Sequence, residues 1–284
     1  MAAVIGLDIG ATKTLGVALD ECGEVVAQVR EPTGWGPDGV VRTAARVVAA
    51  LSSASDSAAP VGVGVPGVVD SARGLVSHAV NLGLDGVPVA LAGRLGEAVG
   101  RRVVLENDVN AATLGVAALT HSTDLAYLGI GTGLAAGLVV DGALRRGARG
   151  AAGEVGHVSV DPLGLLCACG QRGCLETVAS GSALASAWPT DGPAPARALY
   201  AACLAGDARA QAIWLTFADG LAQAVTVLAL GVDPDVVVLG GGVADVGEPL
   251  QEAVVAALGQ RAAGSAFVAS LAGASEQAPG PVIA

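Results

Sequence analysis

Two stretches of this chain are variants of one pattern. LDIGATKTLGVALDECG begins at Leu7 and LGIGTGLAAGLVVDGA at Leu128; each reads as an apolar strand, a turn with Gly and Thr, and a second apolar strand ending at a further Gly turn. A duplicated supersecondary unit constrains a fold strongly, because each copy must find neighbours to bury its own apolar face. It predicts two related lobes, expected at residues 1–110 and 111–284. A cleft between such lobes is where a ligand would sit.

The surrounding segments fit an α/β chain. EVVAQVR adds a third strand after the first hairpin, and GVVRTAARVVAALSSA follows with Val40, Val41, Ala44, Val47, Val48 and Leu51 near one helical face. PVGVGVPGVVD reads as a buried strand ending at Pro66-Gly67, and SARGLVSHAVNLGLDGVPV as a loop. A helix from Ala90 to Val99, the strand RVVLEND and the helix VNAATLGVAAL complete the first half. Later, WLTFADGLAQAVTVLALGV reads as a long buried helix stopped by Gly231 and Pro234. The strand DVVVLGGGVA and the helical PLQEAVVAALGQRA follow, and the tail SEQAPGPVIA is expected to be poorly structured.

Composition excludes several partners. With 15 Lys plus Arg against 26 Asp plus Glu, the net charge is -11. Binding to a phosphate backbone is driven by clustered Lys and Arg, so a nucleic-acid partner is disfavoured, as is an anionic lipid surface. The mean hydropathy of +0.62 raises the question of a membrane span. The longest uncharged apolar candidate, Leu125 to Val140, is broken by Gly129, Gly131, Thr132, Gly133 and Gly137 and reads as two short strands. MAAVIGLDIG has no basic stretch and reaches Asp8 at once, unlike a secretory signal, so the expected compartment is the cytoplasm.

Three constellations carry chemistry. The first is the set of Gly turns at strand ends: Asp8, Gly10, Thr12 and Lys13; Gly131, Thr132 and Gly133; and Gly240, Gly241 and Gly242. Exposed backbone N–H groups with a hydroxyl and a cation suit phosphate oxygens, although glycines at hairpins also serve the turn alone. Three such loops together fit a nucleotide. The second is Glu106-Asn107-Asp108 at a strand-to-helix junction, where Asp108 is either a helix cap or a general base. The third is His157-x9-Cys167-x-Cys169-x4-Cys174, one imidazole and three thiols, the inventory of a closed and therefore structural zinc site. A redox pair is disfavoured by the Cys-x-Cys spacing; small core cysteines are the remaining alternative.

DIGATK, GVPGVVD, LENDVNAATLG, GIGTGLAAG, GAAGEVGH and CACGQRGCLE stand in one order between Asp8 and about Ala262. In this the chain resembles the ROK family of sugar kinases and repressors, in its glucokinase and N-acetylhexosamine kinase branch. The resemblance implies the two-lobed actin-like ATPase fold, related to ribonuclease H, with an interlobe cleft. It implies ATP-dependent phosphorylation of a sugar 6-hydroxyl with Asp108 as general base. Gly67, Asn81, Asn107 and Asp108 would bind sugar hydroxyls, and Glu154, His157 and Glu176 the C1 to C3 side. Asp8, Gly10, Thr12, Lys13, Thr132 and Gly133 would face the ATP phosphates and Mg²⁺, and Gly240 to Gly242 the adenosine. His157 would present one ring nitrogen to zinc and the other to the sugar. A homodimer or homotetramer is also implied. Family repressors carry an N-terminal DNA-binding extension; here the phosphate motif starts at Asp8.

Overall fold

The computed structural model describes residues 4–54, 59–192, 194–271 and 282–283. It divides into two compact units, residues 1–112 with 148–151, and residues 113–147 with 152–284.

The first unit opens with the three-strand meander β1 (Val4–Ile9), β2 (Lys13–Leu19) and β3 (Val25–Pro32), followed by helix α1 (Gly36–Leu51). Next come β4 (Val61–Val65), the hairpin β5 (Val68–Asp70) and β6 (Leu75–Ser77), helix α2 (Leu91–Val99), strand β7 (Val103–Asn107) and helix α3 (Asp108–Thr120). Alternation drives the sheet: Ile5, Leu7 and Ile9 of β1 and Val61, Val63 and Val65 of β4 are all buried. They share one core with Leu105 of β7, the Val40, Ala44, Val47, Val48 and Leu51 stripe of α1, and Leu91 and Leu95 of α2. The sheet order is β3-β2-β1-β4-β7, with β4 parallel to both β1 and β7. The segment from Ser71 expected to be a loop instead contains β6, which pairs with β5 just before it as a hairpin. Its strands are three residues each and carry too little alternation to register as a pattern.

The second unit begins with β8 (Leu125–Ile130), β9 (Leu134–Val140) and β10 (Ala143–Leu144). Helices α4 (Glu176–Ala179), α5 (Gly181–Ala187), α6 (Pro195–Leu204) and α7 (Ala208–Val232) precede β11 (Val236–Gly240), α8 (Glu248–Ala262), α9 (Ala266–Leu271) and β12 (Val282–Ile283). Its sheet order is β10-β9-β8-β11-β12, the same topology as the first sheet. The repeat read from sequence is thus a repeat of structure: the β1–β2 and β8–β9 hairpins are antiparallel, and β4 and β11 run parallel to β1 and β8.

Helix α7 is the one helix among the described residues long and apolar enough to cross a membrane. Its Trp214, Phe217, Leu221, Val225 and Leu228 lie in the second unit's core, the place of a buried helix in a folded domain. Asp207 caps its start by accepting the Ala210 N–H, and it runs through Gly231 to end where Asp233 turns left-handed at φ 48°. Gly231 is therefore not its stop. Val282–Ile283, within the tail expected to be unstructured, pair with β11, where the end of a parallel strand offers unmet N–H and C=O groups. Residues 275–281 and 284 of that tail lie outside the described residues.

Candidate active site

In open α/β sheets ligands gather beyond the carboxyl ends of parallel strands. In the first unit Asp8, Gly64 and Glu106 stand in register across β1, β4 and β7. Just past them lie the Gly10–Lys13 turn, Pro66-Gly67 and Asn107-Asp108. The turn closes through Gly10 N–H to the Lys13 carbonyl at 3.0 Å, with Thr12 and Lys13 exposed. Thr33, just beyond β3, locks it. The Thr33 hydroxyl donates to the Gly10 carbonyl at 2.8 Å and shares a 2.9 Å bond with Thr14, and its N–H donates to the Thr12 carbonyl at 3.1 Å.

Asp8 still meets solvent, but protein packs round enough of its carboxyl to raise it above the usual range, with the Lys13 ammonium pulling the other way. Asp108 is raised too, first by burial; the N–H of Val109 lowers it, and the like charge of Asp8 adds to the rise. The helix cap is Asn107. Its Oδ1 accepts the Asn110 N–H at 3.1 Å, the N-cap geometry, while its Nδ2 donates to the Gly67 carbonyl at 3.2 Å. Asp108 is the first residue inside α3, with Oδ1 accepting the Val109 N–H at 2.9 Å. Gly67 has φ 97°, and a Cβ there would lie 2.9 Å from the Ala79 nitrogen, so this turn packs two residues from the exposed Asn81. The first unit thus brings Gly67, Asn107 and Asp108 together with the loop of Asn81.

In the second unit the parallel strands β8 and β11 end at Gly131–Gly133 and Gly240–Gly242. A Cβ at Gly241, φ 85°, would fall 2.6 Å from the Ile130 carbonyl, and Val243 donates to that carbonyl at 3.1 Å. The two loops therefore lie side by side. Carbonyls of Gly131 and Thr132 accept the N–H groups of Gly181 and Ser182 at the start of α5. Glu176 braces the same loop: its Oε2 accepts the Leu134 N–H at 3.1 Å, and a Cβ on Gly133 would come within 2.5 Å of that oxygen. A Cβ at Gly131 or Gly242 would meet open space, while the Gly131 N–H itself donates to the Gly133 carbonyl at 3.1 Å.

GEVGH runs along β9, with the Ala136 N–H donating to the Gly153 carbonyl at 2.7 Å. A side chain on Gly153 or Gly156 would overlap the carbonyls of Ala136 and Leu134, which accounts for both glycines. His157 emerges from this segment with Nε2 3.9 Å from the Glu154 carboxylate and Nδ1 3.7 Å from the Cys167 sulfur. The ligand atoms of His157, Cys167, Cys169 and Cys174 all lie within 4.8 Å of one another. The Cys169–Cys174 sulfur pair is 3.6 Å apart. Zinc bonds of about 2.3 Å to sulfur and 2.0–2.1 Å to nitrogen give a tetrahedron with edges of about 3.5–3.8 Å, so the donor set fits that ion in chemistry and in these two edges. Gln171 sits over the cluster, and its backbone N–H and side-chain amide bring the Cys169 thiol down to about 6. Burial, then the neighbouring thiols, push Cys174 up to about 12.

Two residues at these sites carry little local sequence signal of their role. Thr33 sits beyond the first repeat, and only tertiary contact shows its hold on Gly10. Glu106 stands in the sequence only as part of the Glu106-Asn107-Asp108 triplet, although a carboxylate just before a capping Asn is a usable signal.

Two sheets of one topology, each with glycine turns beyond the ends of its parallel strands, define the two-lobed actin-like ATPase fold. The chain belongs to the ROK family, whose model matches residues 4–280. It is 36% identical over 278 residues to a glucokinase of Thermotoga maritima, covering 89% of this chain and 87% of that protein. It is 31% identical over 247 residues to an N-acetylmannosamine kinase of Yersinia pseudotuberculosis, covering 84% and 82%. A solved ROK family glucokinase from Streptomyces griseus, in complex with glucose and AMPPNP, superposes with a TM-score of 0.81 at 31% identity, covering 99% of this chain and 93% of that one.

Proposed function

We propose that this chain is an ATP-dependent hexose kinase that phosphorylates the 6-hydroxyl of glucose or a close glucose analogue, with Asp108 as the general base. The observation that carries the role of Asp108 is that Asn107 takes the N-cap position of α3, so the Asp108 carboxylate, which accepts the Val109 N–H from inside the first turn, is not the cap itself. A raised carboxyl is also a better match to a proton acceptor working near neutrality than an ordinary one.

In the reaction the sugar O6 forms a bond to the γ-phosphorus of ATP as the bond to ADP breaks, and the hydroxyl proton passes to Asp108. Phosphoryl transfer needs positioning and charge neutralisation more than covalent help. To the sugar we assign Gly67, Asn81, Asn107, Asp108, Glu154, His157 and Glu176. Asp8, Gly10, Thr12, Lys13, Thr132 and Gly133 hold the triphosphate, and Gly240 to Gly242 the adenosine. When bound, Mg²⁺ neutralises phosphate charge; Asp8 is the carboxylate that would hold it. Net charge of -11 makes such local features necessary, since the global field repels ATP.

Zinc is the ion we assign to His157, Cys167, Cys169 and Cys174, as a structural support that fixes the His157 ring. A cytoplasmic location, no nucleic-acid or membrane partner, and a homodimer or homotetramer complete the reading.

The second reading is an amino-sugar 6-kinase acting on N-acetylglucosamine, N-acetylmannosamine or kanosamine, favoured by the similarity to an N-acetylmannosamine kinase. A coupled ADP-release screen across these sugars and glucose, with ATP and Mg²⁺, ranks the two. If none of the hexoses gives turnover, both readings fail.

A further inference from the structure

Glu106 has no part in the assignments above, yet its carboxylate joins three segments of the first unit. Oε2 accepts the hydroxyl of Ser71, the first residue of the β5–β6 turn, at 3.1 Å. Oε1 accepts the Asn107 N–H at 3.0 Å and the Asn110 side-chain amide at 3.3 Å. Asn110 is buried, and its backbone N–H is the group that Asn107 caps. Asn107 then donates to the carbonyl of Gly67, the residue immediately before β5.

These bonds close a circuit. It runs from the hairpin through Glu106 to Asn110 and Asn107, and returns at Gly67 to the start of the same hairpin. Asp108 lies between two of its members in sequence. A carboxylate suits the junction because its two oxygens accept several hydrogen bonds at once and offer no competing donor.

We infer that Glu106 is a positioning residue for phosphoryl transfer, holding the Gly67 turn and the first turn of α3 in one arrangement so that the sugar loop and the base stay in register. This rests on the kinase reading given above. Misplacement by about 1 Å is enough to cost on the order of 10²-fold in rate, so the ties need not touch a reacting atom to matter.

The test compares wild type, Glu106→Ala, Glu106→Gln and Ser71→Ala in the full chain, by steady-state kinetics and by amide hydrogen exchange. Wild-type turnover with a hexose is judged first and bears on the kinase reading alone. Glu106→Ala should lower kcat/KM for the sugar about 30-fold or more, with the KM for ATP within about twofold. Glu106→Gln should recover most of that loss, since its carbonyl oxygen accepts from Asn107 and Asn110 while its amide donates to Ser71. Exchange should rise together over residues 67–71 and 107–112 in Glu106→Ala, and over 67–71 in Ser71→Ala, whether or not the sugar has been identified. Sugar kinetics of Glu106→Ala within twofold of wild type would overturn the inference, as would Glu106→Gln as impaired as Glu106→Ala. Exchange rising uniformly across the first unit would also overturn it. If Glu106→Ala does not fold, Ser71→Ala decides: unchanged exchange and unchanged sugar kcat/KM would contradict the tie.

Discussion

Asn107 accepts the Asn110 N–H at 3.1 Å while donating to the Gly67 carbonyl at 3.2 Å, so a single amide caps helix α3 and holds the turn that precedes β5. An N-cap contributes about 1 kcal/mol, and here that contribution belongs to Asn107. Asp108 accepts the neighbouring Val109 N–H from inside the first turn instead.

Asp108→Asn should therefore lower kcat by about 10²–10⁴-fold, the range for loss of a general base, with sugar affinity changed only a few fold. In wild type the acid limb of kcat/KM should lie above the ordinary carboxylate range, because burial and Asp8 raise the Asp108 carboxyl. A normal kcat for Asp108→Asn would remove Asp108 from the chemistry.

The same shift has a consequence for stability. Asp108 and Asp8 both have folded values above their unfolded ones, so between those values the native state binds more protons than the unfolded chain. Stability then falls as pH rises through the window, and the cost is fully present above it. Asp108→Asn should melt at or above the wild-type Tm at pH 7, with the difference shrinking as pH falls into the ordinary carboxylate range. Thermal melts across pH check both the sign and the window.

Thr33→Val removes the hydroxyl that donates to the Gly10 carbonyl and partners the buried Thr14. Leaving such groups unmet costs about 1–3 kcal/mol. If about 1.4 kcal/mol of this falls on the nucleotide-bound turn, the KM for ATP rises about tenfold. Sugar KM should move much less, and calorimetry with a non-hydrolysable ATP analogue separates the two.

Gly133→Ala would place a methyl 2.5 Å from the Glu176 carboxylate that accepts the Leu134 N–H. Either the carboxylate swings away or the loop moves. We expect kcat/KM to fall at least about tenfold, consistent with loss of a positioned loop; kinetics indistinguishable from wild type would mean that the loop tolerates displacement.

Metal analysis should find one zinc per chain, and Cys174→Ser should lower both zinc content and Tm, because metal affinity of a structural site is folding free energy. Cys22 and Cys203 lie outside the cluster, so serine at either should leave zinc content unchanged. Metal-free protein with an undiminished Tm would rule the assignment out.

Much of this architecture was readable in the chain. The repeat at Leu7 and Leu128 foretold two sheets because hairpin strands alternate strongly, and Val40 to Leu51 foretold α1 because its apolar stripe is continuous. His157 and the three cysteines were legible from spacing alone, since a short loop can bring them within 4.8 Å. What failed depended on tertiary contact. Asp108 and Asn107 are both good capping residues, and sequence cannot say which one turns into the helix. The three-residue strands β5 and β6 are too short to show a period, and β12 forms because β11 has an edge to pair with. Thr33 holds Gly10 across 23 positions of sequence, a link that no local pattern records.

The proposed reaction spends ATP on the 6-hydroxyl of a hexose. Purified protein incubated with glucose, ATP and Mg²⁺, with products identified by ³¹P and ¹³C NMR, tests it most directly. ADP and hexose 6-phosphate should form in equal amounts, with 6-deoxyglucose giving no phosphorylated product. Phosphate on another hydroxyl, or ADP formed at the same rate without sugar, would contradict it.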